Sequence, residues 1–101
     1  MSVDIRSVVI HGRRWFRRGP GNTYHSATVL IDGKPVANTG IHYGYGDSYV
    51  ETAFAMLETE DLIPKRLEHA NGSHEAYWQW AERTGIALHY SAADVARERD
   101  L

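Results

Sequence analysis

The sequence predicts an α+β domain, in which a three-stranded antiparallel meander carries two to three helices packed on one face. The first half is rich in β-branched residues and is broken by turn signals at residues 19–22 and 32–33. The second half carries helix-start signals and apolar residues at helical spacing. The 101 residues, 43% hydrophobic and 24% charged, fit a single domain over 1–101, β-rich in 1–46 and mainly helical in 47–101.

Three strands are expected in the first half. The first begins with the apolar run Val3 to Ile10 and continues to about residue 16. Alternation in the second strand places Tyr24, Ser26, Thr28 and Leu30 on one face and His25, Ala27, Val29 and Ile31 on the other. Asp32-Gly33 predicts a tight hairpin turn. The third strand is expected over 35–43, with a break around 38–40.

A first helix is expected to begin at Ser48, which forms an S-x-x-E capping box with Glu51, and to end before Pro64. Its apolar residues follow the i, i+3, i+4, i+7 spacing that would cover one sheet face: Val50, Ala53, Phe54 and Leu57. This spacing predicts a helix that lies flat on the sheet.

The C-terminal third predicts a second helix over 74–84, which Gly85 would terminate as a C′ residue. Residues 86–90 could add a short fourth strand. Ser91 and Asp94 then have the spacing of a capped start for a third helix.

The composition excludes several function classes. The chain has no cysteine, which excludes cysteine-based zinc sites and thiol catalysis and gives no sign of an oxidising compartment. No signal-peptide pattern is present at the start, and no apolar run reaches the ~18 residues that span a bilayer. We expect a cytoplasmic protein without membrane contact.

Charge is unevenly distributed along the chain. Residues 1–50 hold six basic and three acidic side chains, whereas residues 51–101 hold five basic and ten acidic ones. This asymmetry permits one basic and one acidic surface on a small domain.

The segment from Arg13 to Arg18 is the main candidate for a contact surface, because it places four arginines around two large aromatics. Strand alternation puts Arg13, Trp15 and Arg17 on one face. Three interpretations are open: a strand end kept soluble by arginines, a nucleic-acid surface, or a protein interface. The predicted binding residues are Arg13, Trp15, Arg17, Tyr24 and His25, with Trp78 as a second patch.

Histidines suggest a third class, because His11, His25 and His42 lie on successive strands and could converge. No metal-binding motif such as H-E-x-x-H accompanies them, so no metal, cofactor or catalytic residue is assigned. The glycine-containing corner at 42–48 is a weak match to phosphate-binding loops. An unpaired edge strand could also pair with a second copy, which would make a homodimer.

Several motifs together resemble a group of small, mostly unannotated proteins encoded by bacteriophages and related mobile elements. They are Arg14-Trp15-Phe16-Arg17-Arg18, Gly21-Asn22-Thr23-Tyr24-His25-Ser26, Asp32-Gly33-Lys34, Tyr43-Gly44-Tyr45-Gly46-Asp47-Ser48-Tyr49 and Thr52-Ala53. The resemblance covers about residues 8–64 and implies no assigned activity. It implies a phage accessory protein in the cytoplasm of a bacterial host, and binding or inhibition of a host component is a common role for such proteins.

The sequence therefore favours a small non-enzymatic binding protein, a phage accessory factor that binds or inhibits a host protein or a protein–nucleic-acid machine. The alternative is a single-stranded nucleic-acid-binding protein that uses the arginine and aromatic strand. A metal- or histidine-dependent enzyme is the third hypothesis.

Overall fold

The computed structural model describes residues 4–101 and shows an α+β fold built on one mixed sheet. The expected strand start at Val3 lies outside the described residues. The elements are β1 (Ser7–Arg17), β2 (Asn22–Ile31), β3 (Lys34–Asn38), β4 (His42–Tyr43), α1 (Ser48–Thr59), α2 (Tyr77–Thr84) and β5 (Ala87–Val95), followed by a 3₁₀ turn at Glu98–Asp100. The strand order is β3-β2-β1-β5, and β4 pairs with β2.

The first two strands form the long antiparallel hairpin that the sequence predicts. Pairing runs from Val8 opposite Ile31 to Arg17 opposite Asn22. The second hairpin turn, between β2 and β3, has positive φ at both Asp32 (50°) and Gly33 (82°), as a primed turn requires. The Asp32 carboxylate also accepts hydrogen bonds from two backbone N–H groups at the start of β1, at 2.9 Å each, and so ties the turn to that strand.

The core lies between one face of the sheet and the two helices. All four residues of the predicted α1 stripe are fully buried: Val50, Ala53, Phe54 and Leu57. They pack with Val8, Ile10, Ala27 and Val29 from the sheet. Trp80 of α2 completes the core, with its ring 5.0 Å from that of Phe54 and its indole N–H donating to the Pro64 carbonyl at 2.7 Å.

The strand prediction for 35–43 needs a small correction. Two separate strands, β3 and β4, occupy this range and pair with different parts of the same β2 edge. The interruption lies where the sequence suggested it. There the Thr39 hydroxyl accepts a hydrogen bond from the Ala27 N–H at 2.9 Å, which replaces a backbone bond of the ladder. Gly40 follows with a positive φ of 72°.

The expectation for the C-terminal segment was wrong in two respects. β5 runs parallel to β1 along its whole length, so the sheet is mixed rather than antiparallel, and no helix begins at Ser91. The free edge of β1 offers a ladder of backbone hydrogen bonds to this segment, which outweighs a local capping pattern. Asp94, expected as part of that cap, instead pairs with Arg14 at 3.2 Å.

Both predicted helices exist, and the first begins at Ser48 as predicted but with a different cap. The Ser48–Glu51 capping box does not form: Asp47 is the N-cap residue without a side-chain hydrogen bond, and Glu51 binds Arg66 at 2.6 Å instead. The second helix begins at Tyr77 rather than at residue 74, because His74 forms an isolated bridge with Glu68. Its end at Thr84 with Gly85 in the left-handed conformation is as predicted.

Gly12 sets the distance between α1 and the sheet. A Cβ at this position would lie 2.5 Å from Cδ2 of Tyr49, in the first turn of the helix. The Tyr49 ring therefore rests directly on the backbone of the central strand, and burial raises the pKa of its hydroxyl.

Two ion pairs hold the irregular segment 60–76 against the helices. Arg66, with only 7% of its side chain exposed, bonds Glu58 at 2.8 Å and lies over the Phe54 ring at 5.1 Å. Glu75 receives two hydrogen bonds from Arg83, which hold the pKa of its carboxyl below the ordinary 4.5.

Replacing Gly12 with alanine should destabilise the fold by about 1–3 kcal/mol, because the new methyl group overlaps the Tyr49 ring. Thermal unfolding should show a melting temperature lower by at least about 5 °C. Gly19→Ala is the matched control, since nothing lies within 4 Å of its Cβ position. A Gly12→Ala protein as stable as that control would contradict this packing.

Glu75→Gln should destabilise the protein near neutral pH, and the difference from wild type should shrink on acidification. A carboxyl with a lowered folded-state pKa adds stability that is complete above its ordinary pKa of 4.5. That stability is lost as the pH falls through the folded-state value. Urea unfolding at a series of pH values measures this, and a constant difference down to the acid limit would refute the pair's role.

Candidate functional site

One face of the sheet is covered by the helices, and the other carries neither of them. We call the uncovered side the open face. Its residues alternate with the core residues along each strand: Val9, His11, Arg13, Trp15 and Arg17 of β1; Tyr24, Ser26, Thr28 and Leu30 of β2; Tyr43 of β4; and Ala87, His89, Ser91, Ala93 and Val95 of β5. The predicted alternation of β1 and β2 is confirmed.

Three aromatic side chains form a row across the open face. Trp15, Tyr24 and Tyr43 are direct cross-strand neighbours in the ladder. The Trp15 and Tyr24 rings stack with centroids 5.9 Å apart, and Tyr43 meets Tyr24 edge-on at 5.6 Å. Tyr43 is 65% exposed. The row is therefore a continuous aromatic surface that reaches solvent at its outer end.

Arg13 lies beside this row in a fixed position. Its guanidinium donates to the Ser26 hydroxyl and to the Thr28 hydroxyl, each at 3.1 Å. Both acceptors are neutral, and no ion pair to Arg13 occurs among residues 4–101. The hydroxyls orient the side chain without neutralising its charge.

Among the described strand residues, the open face carries basic but no acidic side chains. Arg13 and Arg17 of β1, together with His11 and His89, occupy its strand positions, and no aspartate or glutamate does. Alternation sends Arg14 and Asp94 to the other side, where they pair with each other. The face can therefore attract an anion and stack a planar group at the same place.

The structure brings together four of the six predicted binding residues, namely Arg13, Trp15, Arg17 and Tyr24. It places His25 on the opposite face, 1% exposed, with Nδ1 bonded to the Gly44 carbonyl at 3.1 Å and Nε2 to the Thr52 hydroxyl at 2.8 Å. His25 joins β2 to α1 and to the corner before it, so it is no contact residue on the open face.

Trp78 lies elsewhere, on α2, with 61% of its surface exposed. It packs edge-on against Tyr77 at 5.3 Å, and Tyr77 meets Tyr90 of β5 at 5.2 Å. Burial raises the pKa of the Tyr77 hydroxyl to about 12, so this ring stays neutral at physiological pH. The three rings form a second aromatic patch, on the helix side beside β5.

The three strand histidines do not converge. His25 and His42 stack with ring centroids 6.0 Å apart, but His11 points to the open face. Within residues 4–101 no group of three or more histidine or acidic side chains is arranged to hold a metal ion. The convergence that a three-histidine metal site would need is therefore absent among the described residues.

A cavity of about 740 Å³ lies at the carboxyl end of β1, on the helix side. Arg14 and Arg18 line it, with Phe16, Tyr45 and Asp94. Arg14 is already engaged by Asp94 and by the Gly46 carbonyl, each at 3.2 Å. In the adjoining corner 42–48, the Gly44 N–H bonds the Thr23 carbonyl at 3.0 Å and is not free for phosphate.

Sequence reasoning missed Tyr43 and His89 as open-face residues. Tyr43 could have been found by extending the alternation of the meander across the interruption at 39–41. His89 could not, because its place depends on the parallel pairing of β5 with β1, residues far apart in the chain.

Comparisons with protein-family models, with curated proteins and with solved structures find no match to this chain. The resemblance to phage-encoded proteins stays a prediction. Among residues 4–101, neither helix has the length and apolar character needed to cross a bilayer.

His25→Ala should lower the free energy of unfolding by about 2–4 kcal/mol, because it opens a cavity and removes the partners of Gly44 and Thr52. His11→Ala, on the exposed surface, is the control and should change stability by less than about 0.5 kcal/mol. Denaturant unfolding compares the two. Equal stability of both variants would contradict the buried role of His25.

Proposed function

We propose that this chain is a non-enzymatic binding protein whose open face binds single-stranded nucleic acid. The observation that carries the proposal is the row Trp15, Tyr24 and Tyr43 beside an arginine that no carboxylate neutralises in the described part of the chain. Nucleic-acid bases stack on exposed aromatic rings, and phosphates bind guanidinium groups, so one strand can use both at once.

The dimensions of the surface support a short binding site. Adjacent rings of the row are separated by 5.9 and 5.6 Å, and sheet surfaces with comparable aromatics stack about two or three bases. On β1, Arg13 lies two residues before Trp15 and Arg17 lies two residues after it. The two guanidinium groups thus flank the aromatic surface on either side, where the phosphates of a stacked strand would pass.

A protein partner is the second candidate, and it was the leading expectation from the sequence. Tryptophan and arginine are favoured anchors of protein interfaces, and Trp15 and Arg13 are neighbours on the open face. In a phage accessory protein the partner would be a host protein or a protein–nucleic-acid machine. No described strand residue on the open face is acidic, which favours the nucleic acid.

Fluorescence anisotropy with labelled oligonucleotides of ~16 thymidines or uridines tests the leading proposal. Binding should weaken steeply between about 50 and 200 mM salt. Trp15→Ala should weaken it by about 5- to 150-fold, since loss of base stacking costs about 1–3 kcal/mol. The double variant Arg13→Ala/Arg17→Ala should flatten the plot of log affinity against log salt by about 1.4, which corresponds to two phosphate contacts.

Arg6→Ala/Lys65→Ala is the matched control, because it removes the same charge from exposed positions outside the open-face residues of the strands. It should leave both the affinity and the slope close to wild type. No binding at low salt, or equal weakening by both double variants, would overturn the proposal. Capture of one host protein after nuclease treatment, lost with Trp15→Ala, would support the second candidate instead.

A further inference from the structure

The outer edge of β5 is a long unpaired strand edge. The Ala87 N–H donates to the Arg6 carbonyl of the neighbouring chain segment at 3.0 Å, which shows that Ala87 points its backbone groups inward. In a parallel ladder, alternate residues point inward and outward. The outward residues are therefore Leu88, Tyr90, Ala92 and Asp94, and no strand within residues 4–101 pairs with them.

The opposite edge of the sheet is protected against such pairing, whereas β5 is not. β3 is five residues long, contains Lys34 and Pro35, and opposes a register shift at Val29/Leu30. Short length, lysine, proline and bulges are the usual protections of a sheet edge. β5 is nine residues long, has no lysine, proline or glycine, and keeps an unbroken register with β1.

Exposed apolar surface lies next to this edge. Trp78 and Tyr90 are 61% and 41% exposed, and both contact Tyr77 on the helix side of β5. On the open face the central residues of β5 are small and exposed, namely Ser91 and Ala93. At its centre, the open-face side chains of β5 leave room for a neighbouring strand, which would lie next to the aromatic patch.

We propose that β5 pairs antiparallel with β5 of a second copy of this chain, about a two-fold axis at Ser91. In this register Leu88 faces Asp94 of the second copy and Tyr90 faces its Ala92, so every outward residue meets another outward residue. Each such pair exchanges two hydrogen bonds. Ser91 faces its own equivalent in a pair without backbone hydrogen bonds.

β5 can pair with the β5 strand of a second copy because no like charges meet in this register. Asp94 is the sole charged residue of β5, and it faces a leucine. A two-fold interface requires this kind of self-complementarity. The two-fold axis is perpendicular to the sheet, so the helices of both copies lie on one side. The two open faces then join into one surface, but the pairing does not depend on what that surface binds.

Sedimentation and cross-linking test the proposal on the full chain. Wild type should sediment at twice the 11.4 kDa mass of one chain. Because the chain has no cysteine, Ser91→Cys introduces a single thiol. Mild oxidation should convert it to a disulfide dimer, since Cα atoms in such a pair lie about 4.5 Å apart, within disulfide range. His89→Cys is the control: its equivalent would lie ~13 Å away along the strand, so it should not cross-link.

A charge exchange at the same position gives an independent readout. Ser91→Lys alone should sediment as a monomer, because two lysines would meet at the axis. Mixing it with Ser91→Glu should restore the dimer. The proposal is overturned if wild type is monomeric at high concentration, or if Ser91→Cys cross-links no faster than His89→Cys. A dimer that Ser91→Lys leaves intact would place the interface elsewhere and equally overturn it.

Discussion

Strand β1 is hydrogen-bonded along both edges, antiparallel to β2 and parallel to β5, and this position determines both surfaces of the sheet. Because the backbone of β1 is held on two sides, its side chains cannot change face without breaking two ladders. Val8 and Ile10 are thereby committed to the core, and Arg13, Trp15 and Arg17 to the open face. The register of β1 therefore determines both the core and the candidate binding surface.

The contact between α1 and the sheet fixes the distance of the helix from the strands. Gly12 lets the Tyr49 ring touch the strand backbone, and His25 ties β2 to the same helix through Thr52. Both contacts are on the covered side. The helix layer therefore holds the strands in place from the covered side, while the side chains of the open face do not contact the helices.

Much of the fold follows from local patterns, and the largest error comes from one non-local contact. The two hairpins and the buried stripe of α1 depend on residues close in sequence, and these were predicted correctly. β5 joins β1 across most of the chain, as the Arg14–Asp94 pair illustrates, and no local signal encodes that choice. The same limit applies to the site: alternation predicts the faces of Arg13, Trp15 and His25, but the place of His89 depends on the pairing of β5 with β1.

The pairing of the central strand with the last strand also bears on how this chain is made. During translation β1 emerges first, while β5 follows some eighty residues later. Until then one edge of β1 stays open, and Trp80 and Ile86 have yet to join the core formed around α1. Until β5 is available, the growing chain therefore carries an open strand edge at the centre of its sheet, which is the kind of surface that exposes nascent chains to aggregation.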